Sequence, residues 1–176
     1  MTFISGLSPQ TASVADPSAA EIQAACFRLA GEMYALDIRR IKEVIRPQKV
    51  TPVPKSPAFI EGVINLRGMV IPVIDLRRRF NLPRPSDDRR ARVIICVVER
   101  KTIGLLVDEA TEVCSFSRRD VRPASPFLGS AEAEFILGVC RQGENLIMLL
   151  DLDRLLSAGE TSALAAVHSG VDSPQG

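Results

Sequence analysis

The chain has 176 residues, of which 46% are hydrophobic, so it can bury the core of one domain or of two small ones. Its 22 Lys and Arg residues oppose 21 Asp and Glu residues, and a net charge of +1 gives no overall field that would steer it onto DNA or anionic lipid. Composition therefore predicts a folded protein and disfavours nucleic acid as a partner.

The four cysteines, at positions 26, 96, 114 and 140, have no C-x-x-C spacing and no neighbouring histidine, which argues against zinc binding and thioredoxin-type chemistry. We expect them to be buried, reduced thiols. The N-terminus lacks a basic segment followed by an apolar one, and the longest apolar run, Val93 to Val98, is far shorter than a bilayer span. These patterns predict a cytoplasmic protein.

The first third of the chain contains a lead, a hairpin and a loop. Residues 1–22 are small and polar without periodicity, and we expect a flexible N-terminal lead. Alternation from Ala25 to Asp37, with a turn at Gly31-Glu32, predicts a β-hairpin. The prolines between positions 47 and 57 exclude a regular helix or a central strand, which indicates an extended loop.

A second hairpin is predicted by two short strands, Gly62 to Leu66 and Met69 to Ile74, with a turn at Arg67-Gly68. Pro72 lacks a backbone N–H, so it places its strand at a sheet edge or at a bulge. One short helical turn is expected from Leu76 to Phe80.

An exposed connector and a second set of strands follow. Residues 81–92 carry two prolines and six charged residues without apolar periodicity. Val93–Val98 and Leu146–Leu150 have the continuous apolar character of buried strands, and Ile103–Val107 alternates. Asp151–Ser157 fits a short closing helix, and we expect residues 159–176 to form a flexible tail.

One short pattern occurs twice with the same internal spacing. The two copies are Phe59-Ile60-x-Gly62-Val63 with Asp75-Leu76-x-Arg78, and Phe135-Ile136-x-Gly138-Val139 with Asp151-Leu152-x-Arg154. A weaker echo relates Tyr34–Val44 to Ile103–Val113. A period of about 70 residues is long enough for a small subdomain. We therefore expect a domain at 23–158 made of two related units, 25–80 and 93–158, with a groove between them.

Many short strands with Gly and Pro turns, and no long segment of helical period, predict an all-β protein of two small barrels. The pattern does not decide whether the barrels exchange strands, because strand pairing is non-local. The two copies share framework residues but differ at one turn, which is therefore the first site candidate. This turn reads Asn65-Leu66-Arg67-Gly68 in the first copy and Arg141-Gln142-Gly143-Glu144 in the second.

Asp75 and Asp151, one in each unit, suggest a comparison with aspartic proteases, in which two carboxylates share a proton. Each is followed by Leu and lies where a strand meets a helical turn, so a helix N-cap is favoured. The single histidine, His168, lies in the tail, and no glycine-rich phosphate-binding motif is present. We predict no catalytic, cofactor-binding or metal-binding residues, and an aspartic-type hydrolase is a remote alternative.

Two arginine clusters make a nucleic-acid-binding small barrel the main alternative from the residues alone. The chain has one Tyr and no Trp, so aromatic platforms for bases are scarce, and a solvated charged face is favoured. The clusters are Arg77, Arg78 and Arg79, and Arg89, Arg90 and Arg92.

Glu43 and Arg67 are charged residues within apolar segments. One interpretation is an exposed ion pair, which contributes about 0.2 to 1 kcal/mol to stability. The other is an interface anchor, in which Glu43 orients Arg67 and its planar set of donors toward a partner. Composition alone favours the first.

The run from Ile60 to Leu76 resembles the signature of CheW-like chemotaxis coupling proteins, and so does the preceding segment from Thr51-Pro52 to Phe59. The resemblance covers residues 25–157. It implies two five-stranded SH3-like barrels and a non-enzymatic adaptor without cofactors. Such an adaptor joins a CheA-type histidine kinase to the cytoplasmic tips of chemoreceptors.

The resemblance also implies sites and partners. Glu43 and Arg67 match a charged pair of the receptor-coupling surface, and Ile41 and Gly62 match nearby positions tied to partner binding. Asn65, Leu66 and Gly68 would support the Arg67 turn. The chain would pack against the regulatory domain of the kinase, form rings with it, and accept a receptor tip between its barrels. It would lie in the cytoplasm at membrane-associated receptor arrays, with neither nucleic acid nor membrane insertion.

Overall fold

The computed structural model describes residues 20–124, 134–156 and 160. The fold is nearly all β. Short 3₁₀ turns cover Ile38–Arg40, Arg118–Asp120 and Leu152–Arg154. The remaining elements are β1 Glu21–Leu29, β2 Glu32–Asp37, β3 Ile41–Ile45, β4 Ile60–Leu66, β5 Met69–Asp75, α1 Leu76–Arg79, β6 Arg92–Val98, β7 Lys101–Val107, β8 Glu109–Ser117, β9 Ile136–Gln142 and β10 Asn145–Leu150.

The strands form two five-stranded sheets, which confirms the all-β prediction of two small barrels. Barrel 1 has the order β8-β1-β2-β10-β9, and barrel 2 has the order β3-β6-β7-β5-β4. Adding five to each strand number of barrel 2, and continuing from β10 to β1, gives the order of barrel 1. Each barrel therefore takes strands from both halves of the sequence, and the exchange that the repeat left open does occur.

Each barrel is closed by one isolated bridge beyond its regular strands. Thr51 and Val63 exchange backbone hydrogen bonds of 2.8 and 2.9 Å in barrel 2. Arg122 and Val139 exchange bonds of 2.8 and 2.7 Å in barrel 1. In barrel 2 the chain that follows β3 thus pairs with the edge strand β4. In barrel 1 the chain that follows β8 pairs with the edge strand β9 in the same way.

Three apolar cores explain the continuous apolar strands. In β6, Val93 and Ile95 point into barrel 2, whereas Ile94 and Cys96 point into a core shared by both barrels. Successive strand residues face opposite sides, so a strand buried on both faces has no polar positions. The strand β10 alternates in the same way, and its Ile147 packs in the interior of barrel 1.

Arg79 lies at the junction of the barrels and is largely buried. Its guanidinium carbon is 4.6 Å from the ring centre of Phe59 and 4.7 Å from that of Phe135. Its Nε donates to the carbonyl of Leu155 at 2.9 Å, and its terminal nitrogens donate to both carboxylate oxygens of Glu160 at 2.9 and 2.8 Å. Elements of both halves therefore meet around one cation.

Several element boundaries differ from the sequence-based expectation. Strand β1 begins at Glu21, inside the predicted lead, because Glu21 pairs with Ser117 of β8. Strands β3 and β8 were not predicted, since they are edge strands with many exposed positions and weak alternation. The rest of the predicted lead, and the predicted tail apart from residue 160, lie outside the described residues.

Of the two expectations for Pro72, the edge strand is wrong, because β5 lies between β4 and β7, whereas a bulge fits, because the β4–β5 pairing shifts register between Ile60 and Gly62, next to the Val63–Pro72 pair. The parallel pairing with β7 begins at Val73, opposite Gly104. Pro72 therefore precedes the first β7 pair and needs no N–H on that side.

The expectation of four reduced cysteines is also incorrect. Cys26 of β1 and Cys114 of β8 form a disulfide inside barrel 1. The two positions are 88 residues apart in sequence, so their proximity results from the strand exchange. Cys96 and Cys140 are free and buried, as expected.

Candidate functional site

Glu43 and Arg67 meet at the surface of barrel 2. Arg67 lies in the β4–β5 turn, and its Nη2 donates to Oε1 of Glu43 on the edge strand β3. The Arg67 side chain is 70% exposed and that of Glu43 is 32% exposed. The structure thus joins the two charges that the sequence selected and presents the arginine to solvent.

The turn that carries Arg67 is held by its own residues. Arg67 and Gly68 both have positive φ, at 51° and 84°, which suits a two-residue hairpin turn. The side chain of Asn65 accepts a hydrogen bond from the Gly68 N–H at 2.9 Å. Asn65 and Gly68 therefore fix the backbone from which Arg67 projects.

Ile41 and Leu66 are partly buried and serve mainly to anchor the surrounding strands. Ile41 packs against the shared core, and Leu66 packs against the core of barrel 2. In contrast, Val44 is 43% exposed and Met69 is 51% exposed, and each is close in sequence to one member of the ion pair. Sequence reasoning missed both, because exposure of an edge-strand Val or a turn Met has no local sequence signal.

Gly62 is buried in the wall of barrel 2. Its φ is 147°, and a Cβ built there would lie 2.3 Å from the carbonyl oxygen of Thr51. Gly138 has the same relation to Arg122 in barrel 1, where a Cβ would lie 2.7 Å from the carbonyl oxygen. The repeated glycine thus permits the bridge that closes each barrel, and its contacts are with the chain itself.

The counterpart of this site in barrel 1 lacks the ion pair. Gly143 occupies the position of Arg67 in the β9–β10 turn, and Glu112 of β8 occupies that of Glu43. Gly143 has no side chain with which to reach Glu112. The Glu43–Arg67 pair is therefore a feature of one barrel and not a requirement of the shared fold.

Asp75 and Asp151 cap helical turns, as their sequence positions suggested. Asp75 accepts from the Arg77 N–H at 3.0 Å and from the Arg77 Nε at 3.1 Å. Asp151 accepts from the Asp153 N–H at 3.1 Å, and Arg154 lies 3.4 Å from it. Each carboxylate thus has a structural role within its own half.

The two arginine clusters are occupied by contacts within the chain. Each of the six guanidinium groups meets a carboxylate or a backbone carbonyl, so the clusters do not form an uncompensated basic face. These contacts are Arg77 with Asp108, Arg78 with Glu61, Arg79 with Glu160, Arg89 with Asp87, Arg90 with Glu109, and Arg92 with the carbonyl of Ala91.

Residues suited to metal or membrane chemistry are lacking over the part of the chain that the structure describes. No three His, Cys, Asp or Glu residues there are arranged to hold a metal ion. No helix among these residues is both long and apolar enough to span a bilayer. The single histidine, His168, lies outside the described residues.

The sequence profile of the CheW-like domain matches residues 23–160. The chain belongs to the CheW-like family. It is 35% identical over 149 residues to chemotaxis protein CheW of Treponema pallidum, which covers 82% of this chain and 88% of that protein. It is 32% identical over 142 residues to protein FrzA of Myxococcus xanthus, with 80% and 88% covered.

A solved structure supports the same assignment. The scaffolding protein TtCheW from Thermoanaerobacter tengcongensis superposes with a TM-score of 0.74 at 33% identity, covering 80% of this chain and 91% of that one. The resemblance read from the sequence is thereby confirmed. The protein is a non-enzymatic CheW-like adaptor of the kind that couples chemoreceptors to a histidine kinase, and the hydrolase and nucleic-acid alternatives are not supported.

Proposed function

We propose that this CheW-like adaptor engages its partners through the surface around Glu43 and Arg67. The observation that carries the proposal is the exposed ion pair, which barrel 2 has and barrel 1 lacks. A guanidinium group has five N–H donors, and its hydrogen bond to Glu43 uses one of them. The remaining donors suit carboxylates or carbonyls of a bound protein.

The surroundings of the pair support an interface role. Val44 and Met69 add exposed apolar surface, and interfaces combine apolar contacts with arginine anchors. Asn65 and Gly68 hold the turn in one conformation, which lowers the entropy lost when Arg67 binds. Ile41, Leu66 and Gly62 act from beneath the surface by fixing β3 and β4.

The partners that fit the family role are a CheA-type histidine kinase and chemoreceptors. We propose that the regulatory domain of the kinase packs against this chain, that the two form rings, and that a receptor tip lies against the groove between the barrels. The protein would then act in the cytoplasm at membrane-associated receptor arrays. Neither nucleic acid nor membrane insertion has a place in this function.

Kinase activation with single-site variants tests the surface. Purified kinase and receptor-tip fragments would be titrated with the protein and with Arg67→Ala, Glu43→Ala and the barrel 1 control Glu112→Ala. Loss of an interface arginine commonly costs about 2 kcal/mol, so the half-maximal concentration for Arg67→Ala should rise about 30-fold. Thermal unfolding should be nearly unchanged, because Arg67 is mostly exposed. Equal activation by all three variants would refute the assignment of this surface.

A further inference from the structure

Barrel 1 contains a covalent link that barrel 2 lacks. The Cys26 and Cys114 side chains are both 2% exposed, and their Cα atoms are 6.7 Å apart across β1 and β8. This separation lies within the usual range for a disulfide. The link joins the first strand of the fold to an edge strand 88 residues further along the chain.

The corresponding positions of barrel 2 show that the fold does not need the link. Ile95 of β6 is the barrel 2 counterpart of Cys26, because Ile95 pairs with Gly104 in the same way that Cys26 pairs with Ala35. Ile45 of β3 is the counterpart of Cys114 of β8. Ile95 and Ile45 both pack in the core of barrel 2, so ordinary apolar packing suffices there.

Strand β8 is an edge strand that pairs with β1 along most of its length, and Glu109 at its start also forms an ion pair with Arg90. Strand β8 has β1 as its one strand neighbour, and β3 has only β6 in barrel 2. However, β3 is also held by the Glu43–Arg67 pair, which Gly143 cannot form in barrel 1. The Thr111 hydroxyl donates to the carbonyl of Cys26 at 3.1 Å. The disulfide is thus the only covalent tie of β8 to its neighbour.

We infer that Cys26 and Cys114 form a reversible thiol–disulfide clasp that sets how firmly β8 is held to β1. The reduced protein keeps both barrels, as barrel 2 does with Ile45 and Ile95, but β8 opens more often. The oxidised protein keeps β8 closed, because the crosslink removes the open states of an edge strand.

The chemistry requires a small-molecule disulfide as oxidant. One protein thiolate attacks it, forms a mixed disulfide and releases one small thiolate. The second protein thiolate attacks the protein sulfur of the mixed disulfide, the protein S–S bond forms, and the other small thiolate leaves. The two protons of the protein thiols pass to the released thiolates, and a small thiol reverses the sequence. Since both sulfurs are buried, exchange follows local opening of β8.

The remaining cysteines provide an internal control. Burial raises the pKa of the Cys96 thiol to about 12, and burial also raises that of Cys140. Both should therefore exchange slowly as thiols. A Cys96→Ala, Cys140→Ala variant retains the clasp, whereas a Cys26→Ala, Cys114→Ala variant removes it.

The test compares the oxidised and reduced protein in glutathione buffers. Alkylation after unfolding should count four free thiols in the reduced protein and two in the oxidised one. Reduction should lower the melting temperature on the order of 10 °C and speed amide exchange in β8 at least tenfold relative to β3. The Cys96→Ala, Cys140→Ala variant should respond in the same way, and the Cys26→Ala, Cys114→Ala variant should not respond. The proposal fails if oxidation leaves four free thiols, or if the two redox states give the same β8 exchange.

Discussion

Phe59 and Phe135 open the two copies of the repeated pattern, and both rings contact the guanidinium group of Arg79. Residues that are 76 positions apart in sequence therefore converge on one cation at the junction of the barrels. Arg79 also bonds Leu155, which is its own counterpart under the repeat. The two halves are joined by contacts between equivalent positions, in addition to the exchanged strands.

Arg79→Ala is expected to destabilise the fold by about 2 to 3 kcal/mol. The change removes two partly desolvated cation–π contacts and the hydrogen bonds that Arg79 donates to the Leu155 carbonyl and to Glu160. Arg78→Ala is the control, since Arg78 is 45% exposed, and it should cost less than about 1 kcal/mol. Urea unfolding measures both, and equal losses would contradict the role given to Arg79.

Gly62→Ala should prevent closure of barrel 2 and leave little folded protein. The new Cβ would lie 2.3 Å from the Thr51 carbonyl oxygen, and the φ of 147° is unfavourable for an L-residue. Gly68→Ala provides a comparison, because a Cβ there meets nothing within 4 Å, and only the positive φ costs about 1 kcal/mol. Circular dichroism and urea unfolding distinguish the two. A folded Gly62→Ala protein with lost partner binding would show that Gly62 acts at the interface instead.

Asp108→Ala is expected to cost about 3 to 5 kcal/mol, because it leaves the buried guanidinium of Arg77 without one of its two carboxylates. Asp108 also accepts a hydrogen bond from the Ala30 N–H at 2.8 Å. Asp87→Ala removes an ion pair of similar length whose arginine, Arg89, is 87% exposed, and it should be nearly neutral. A loss of less than about 1 kcal/mol for Asp108→Ala would contradict the buried pair.

Asp153→Asn should reduce the loss of folding stability that occurs as the pH falls. The hydrogen bonds from Arg40, at 2.6 and 3.1 Å, hold the pKa of Asp153 below its usual value. A carboxylate with a lowered folded pKa stabilises the protein above its unfolded pKa of about 3.9 and loses that contribution as pH falls through the folded value. The native protein should melt slightly higher than the variant at pH 5 to 7, and the gap should close below about pH 4. A pH-independent gap would contradict the pair.

The two barrels were predictable because the apolar residues of most strands follow a clear pattern and because the repeated sequence indicates two related units. The edge strands β3 and β8 were not, since several of their residues are exposed and their pairing partners are distant in sequence. The exchange of strands was equally hidden, because local periodicity contains no information on pairing. The disulfide between Cys26 and Cys114 depends on that exchange and was missed with it.

The candidate site was predicted in part. Comparing the two copies selected the turn at Arg67, and the structure joins it to Glu43. Gly62 was placed among partner-binding positions, but its contacts are with Thr51 inside the barrel wall, and only coordinates reveal such a close approach. Val44 and Met69 became candidates only once the fold placed them at the surface.

The coupling function is tested most directly by autophosphorylation of the CheA homologue from the same cell, measured with receptor-tip fragments in the presence and absence of this protein. We expect strong activation that needs all three components, and that weakens with Arg67→Ala but not with Glu112→Ala. Kinase activity that is the same with and without the protein, although the protein is folded and receptor fragments are present, would contradict the coupling function.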